Sequence, residues 1–110
     1  MKVYACETIA RGAVSNTPDR PAAALAHDHD DARMIVFRIE PGQHVPVHTT
    51  VSSVFLTVIS GRGFVTDGSG EREVSAGDVI AYEPQEPHGI RADTERLVIS
   101  ALISPRPGSR

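Results

Sequence analysis

Three histidines stand where side chains could do chemistry: His44, His48 and His88. A neutral imidazole donates and accepts a hydrogen bond, titrates near neutral pH and ligates metals. His44 and His48 lie four residues apart in PGQHVPVHTT. On a regular strand that spacing puts both on one face, about 13 Å apart. One ion cannot bridge that gap unless the strand bends, and Pro46 is the residue that would bend it. His88 follows a stretch stiffened by Pro84 and Pro87. The three histidines are therefore candidates for a metal site or the remains of one.

Other polar groups carry weaker chemistry. Gly61-Arg62-Gly63 lacks the third glycine and the following helix of a dinucleotide loop. Ser52 and Ser53 have no nucleophile-elbow context. His27-Asp28-His29-Asp30-Asp31 reads as a solvated loop end. Glu71, Glu73, Glu83 and Glu86 lie near turns and read as solvated. Arg38 shares a strand face with Met34 and Val36, which makes it either a pocket anion anchor or a snorkelling surface arginine. Cys6 is a lone thiol without a disulfide partner or metal-site spacing.

The elements that must position the histidines are short strands. The chain has 110 residues, 40% apolar and 23% charged, with eight prolines and nine glycines. That suits one all-β domain of strands and turns. MIVFRIE, over 34–40, alternates Ile35, Phe37 and Ile39 against Met34, Val36 and Arg38. Pro41-Gly42 turns the chain into the histidine strand, 43–50. Residues 54–60, VFLTVIS, are apolar on both faces, so both faces must be covered; a second copy of the chain is the expected outer cover. Further strands are expected at 64–66, 71–74, 79–82, 88–92 and 96–103, with Asp67-Gly68 as a hairpin turn. Residues 3–7 read as a short edge strand and 12–31 as a wrapping loop with at most one helical turn near Pro21. No convincing helix is expected. The divisions are 1–32 for the edge strand and loop, 33–104 for a barrel, and 105–110 for a flexible tail. Eight to ten short strands indicate a double-sheet jelly roll or small barrel.

The glycine and histidine frame resembles the small single-domain cupins, over roughly residues 33–103. Gly42, five residues, then His48 begins their first motif, and Gly61 closes it. Thr50 stands where that motif has a second histidine, and Val54 where it has a glutamate. Gly77 opens the second motif and His88 closes it in register, while Glu83, Gln85 and Ala92 replace its proline, glycine and asparagine. The resemblance implies a double-stranded β-helix. It also implies a pocket lined by His48, Thr50, Val54, Leu56, His88, Ile90 and Ala92. In metal-binding cupins three histidines and one glutamate hold the ion, and this chain keeps two of those four.

The expected function is therefore a small-molecule binding module, metal-free or weakly metal-binding, with His48 and His88 as polar handles. The alternatives are a dioxygenase- or isomerase-like enzyme using Mn, Fe, Ni or Zn at those histidines, and a dimeric scaffold with a vestigial pocket. The net charge of −3, with scattered basic residues, argues against nucleic acid. No apolar run reaches a membrane span, and the first residues make a poor signal peptide. A cytoplasmic homodimer that takes a small-molecule ligand is expected.

Overall fold

The structure is a computed structural model that describes residues 1–108. After a seven-residue helix, α1 (Cys6–Gly12), come nine strands: β1 (Ala22–His29), β2 (Ala32–Ile39), β3 (His44–His48), β4 (Ser53–Ser60), β5 (Arg62–Thr66), β6 (Glu71–Ser75), β7 (Val79–Tyr82), β8 (His88–Ala92) and β9 (Leu97–Ser104). They form two sheets, β1-β2-β9-β4-β7 and β3-β8-β5-β6, with every pairing antiparallel. The two sheets face one another as a jelly roll.

Period-two alternation builds the interior. Val54, Leu56 and Val58 of β4 point inward beside Ile39, Leu97 and Ile99, and meet Val65, Val74, Ile90 and Ala92 from the other sheet. Leu56, Leu97 and Ile99 are at most 1% exposed. Gly61 turns β4 into β5 with φ of +84°, and a Cβ there would strike the Arg96 carbonyl. Only glycine meets both demands.

The N-terminal third differs from the reading of its sequence. Residues 6–12 form a helix, not an edge strand over 3–7. Glu7 in its first turn and Arg11 in its last suit the helix dipole. So short a helix is marginal alone; it is held by Ala10, which packs on Val36 and Val98. Arg38 adds a cap, donating to the Ala10 carbonyl at 2.6 Å and the Arg11 carbonyl at 3.1 Å. It is a helix anchor rather than a pocket anion anchor. Residues 22–29 form β1, paired with β2 from Ala22↔Arg38 to His29↔Ala32, although an alanine-rich segment has little strand preference of its own. The expected wrapping loop is confined to 13–21.

Helix α1 also supplies part of the outer cover that a second copy was expected to provide: Ile59 packs against its cluster. Phe55, cross-strand from Leu102, remains 40% exposed. The C-terminal stretch is tied down where it is described. Ser52 Oγ donates to the Pro105 carbonyl at 2.6 Å, and Arg106 pairs with Asp28 at 2.9 Å. The end of the expected flexible tail, 109–110, lies outside the described residues. No helix among the described residues is long and apolar enough to cross a membrane.

Candidate functional site

The site begins with a defect in β3. This strand pairs with β8 at the edge of its sheet, His44 opposite Arg91 and Val45 opposite Ile90. The register then slips, and His48 comes opposite His88. A proline is tolerated at an edge or bulge, and Pro46 occupies both. The slip breaks the two-residue repeat. His44 and His48 therefore face opposite sides of the sheet, against the expectation that they share one.

His44 faces outward. It borders a shallow hollow of ≈ 140 Å³ with Val47, Phe64 and Arg91. There Arg91 lies 4.2 Å over the Phe64 ring and holds Glu71 through two hydrogen bonds of 2.6 and 2.9 Å. His44 is thus separated from the other two histidines by the sheet itself.

His48 and His88 are brought together, their ring centroids 4.1 Å apart and tilted by 59°. His48 is exposed at the rim and His88 is 5% exposed beneath it. Each ring is oriented by its own backbone. His48 Nδ1 lies 2.9 Å from the Pro46 carbonyl, and His88 Nδ1 lies 3.1 Å from the Glu86 carbonyl. A carbonyl only accepts, so each Nδ1 must carry the proton it shares. In the neutral ring this tautomer makes Nε2 the acceptor. Burial holds the His88 pKa below the usual imidazole value, and the neighbouring His48 lowers it further, partly offset by the bond to the Glu86 carbonyl. Burial thus favours the uncharged ring of His88.

The β7–β8 loop aims His88. Gln85 N–H donates to the Thr50 carbonyl at 2.8 Å, tying this loop to the one before β4. Glu83 N–H donates to the Glu86 carboxylate at 2.9 Å. Gln85 adopts φ of +68°, a left-handed conformation that costs a side-chain-bearing residue about 1 kcal/mol. Below His88 lies Tyr82, 5.2 Å away by ring centroids, whose hydroxyl donates to the Thr66 carbonyl at 2.9 Å. Its burial, reinforced by Glu86 and Asp67, pushes the phenol pKa up to about 12. Tyr82 is a support that sequence reasoning missed; its inward parity on β7, just before the loop that delivers His88, was the available signal.

The other expected pocket residues divide by burial. Val54, Leu56, Ile90 and Ala92 are at most 5% exposed and packed into the core cluster. Thr50 is half-buried, and its hydroxyl receives the Ser52 N–H at 3.4 Å. At Val54, where the cupin motif has glutamate, the side chain packs in the core. The donors shown to converge are therefore the two imidazoles. Among the described residues no group of three or more His, Cys, Asp or Glu side chains could hold a metal ion. Such a set does not fit a tightly held resident ion, which needs several converging charged or imidazole ligands.

Two facing antiparallel sheets and paired histidines at the rim define a double-stranded β-helix protein. The sequence matches the cupin domain family over residues 35–103, and the chain belongs to that family. Solved structures agree in fold. A conserved double-stranded β-helix protein from Klebsiella pneumoniae superposes with a TM-score of 0.84 at 20% identity, covering 100% of this chain and 94% of that one. An RmlC-like cupin from Desulfovibrio desulfuricans gives 0.80 at 26% identity, covering 96% and 98%. A predicted oxalate decarboxylase from Thermotoga maritima gives 0.73 at 23%, covering 77% and 80%. No curated protein matches the sequence.

Proposed function

We propose that this cupin is a small-molecule binding module that reads hydroxyl groups through the His48–His88 pair. One observation carries the reading: both Nδ1 atoms are committed to backbone carbonyls, which leaves two Nε2 acceptors on adjacent rings. Two fixed acceptors ask for two donors. A sugar or hydroxy acid supplies them on neighbouring carbons. Exposed His48 makes the first contact, and His88 the drier and stronger one.

A metal-dependent enzyme at the same residues is the second reading. The same Nδ1 arrangement favours it, since metal-bound imidazoles commonly donate their other nitrogen to a carbonyl. The similarity to a predicted oxalate decarboxylase points the same way. The missing third and fourth donors at Thr50 and Val54 weigh against it.

Isothermal titration of the untagged protein separates the two. A panel of monosaccharides, hexuronates and hydroxy acids is titrated, followed by Mn, Fe, Ni and Zn salts. The binding-module reading expects saturable binding of a hydroxylated compound without added metal, weakened about tenfold or more in His88→Ala as a buried partner is lost. Stoichiometric metal lost in His48→Ala, with organic ligand bound only in its presence, replaces it with the enzyme reading.

A further inference from the structure

The two sheets do not close on all sides. β7 is the last strand of one sheet and β6 the last strand of the other, and they are not hydrogen-bonded to each other. Two continuous hollows, ≈ 340 Å³ and ≈ 410 Å³, run along this seam and share Val65, Arg72, Ile80 and Ala81. The floor is apolar: Val65 and Val74 are core residues, and Ile80 packs against them. The rim is acidic. Asp67, Glu73, Asp78 and Glu86 line the slot; Asp67, Asp78 and Glu86 accept hydrogen bonds from Ser69, Ser75 and Glu83 of their own turns, and none of the four forms an ion pair among the described residues. Arg72 is the one basic residue lining either hollow. Val79, at the outer lip, is 62% exposed.

We propose that the slot between β6 and β7 receives an extended basic peptide strand from a partner protein. Each flanking strand pairs on one side only, so each offers backbone donors and acceptors to an added strand. A strand presents alternate side chains to opposite sides. Apolar residues of the peptide would lie on Val65, Val74 and Ile80. Lysines or arginines between them would meet Glu73, Asp78 and Glu86. The excess of carboxylates over the single guanidinium sets the sign of the partner, and the free strand edges set its extended form. This surface is separate from the His48–His88 pair and does not depend on what that pair binds.

The test uses a fluorescein-labelled peptide of alternating arginine and valine, eight residues long, read by polarisation. Its controls are the same peptide N-methylated at alternate residues, an aspartate–valine peptide, and spermidine. Saturable binding of the arginine–valine peptide is expected, with a loss of about tenfold or more on N-methylation as backbone donors disappear. Glu73→Lys and Val79→Lys are expected to weaken it several-fold, whereas Asp31→Lys, on the far β1–β2 turn, leaves it unchanged. Amide exchange is expected to slow over 71–75 and 79–82 on binding. The proposal is overturned if no saturable binding appears up to millimolar peptide. It is equally overturned if the N-methylated peptide binds as well, if spermidine displaces the peptide as effectively as unlabelled peptide does, or if protection appears elsewhere.

Discussion

β3 and β4 are consecutive strands cut from one motif, and they obey different rules. β4 lies between β9 and β7, and its Val54, Leu56 and Val58 point inward without interruption until the register slips just after Val58. β3 lies at an edge, is mostly exposed, and slips register near its middle. The difference is one of constraint. β4 keeps its register where it is bonded on both sides, Val54 to Thr57, and takes its extra residue only beyond the reach of β7, whereas the edge strand absorbs a bulge at Pro46 near its middle. The bulge turns His48 inward to His88 and leaves His44 outside. The barrel's stability therefore resides in β4 and its neighbours, and its candidate chemistry in β3 and the loop before β8.

This contrast is open to measurement. The largest effect is expected at Leu56→Ala, which should cost about 3 kcal/mol or more in urea unfolding as a buried cavity opens. His48→Ala, on the exposed strand, should cost less than about 1 kcal/mol. Equal losses would erase the distinction. Gly61→Ala comes next. Its left-handed φ and the nearby Arg96 carbonyl together predict a loss of roughly 2–3 kcal/mol in the same assay.

A third effect is pH-dependent. His88 binds its proton less readily in the folded chain than in the unfolded one, because it is buried and faces His48. The unfolded state therefore takes up more protons as the pH falls below the ordinary imidazole value. His88's contribution is complete above that value and is lost as pH falls toward its own lowered pKa. Thermal midpoints measured from pH 8 to pH 5 should decline more in the native protein than in His88→Gln. A parallel decline would assign the loss to other groups. The smallest effect is a gain: Gln85→Gly should relieve the left-handed φ and stabilise by about 0.5 kcal/mol, seen as a raised urea midpoint.

The barrel was legible because period-two patterning and turn glycines are local signals. Ile35, Phe37 and Ile39, the 54–60 run, and Gly42, Gly61 and Gly77 declared the strands and their corners. The N-terminal third was not legible. α1 is too short to show a helical period, and β1 is built from alanines; both take their structure from partners distant in sequence. At the site, the His48–His88 pairing followed from the motif frame. The separation of His44 did not, because spacing alone assumes an unbroken strand, and the bulge depends on β8 opposite. The roles of Tyr82 and of the Pro46 and Glu86 carbonyls likewise depend on contacts across the barrel mouth or within a loop, which no spacing rule encodes.

The reading of the site rests on His48 and His88 each donating from Nδ1 to a backbone carbonyl, which leaves Nε2 of each ring to meet a ligand. Long-range ¹⁵N–¹H NMR of the imidazole rings at pH 7.5 tests it most directly, with resonances assigned by His48→Ala and His88→Ala. The account predicts that both rings carry their proton on Nδ1 and have an unprotonated Nε2. A proton on Nε2 of either ring, or a charged His88 at that pH, contradicts it.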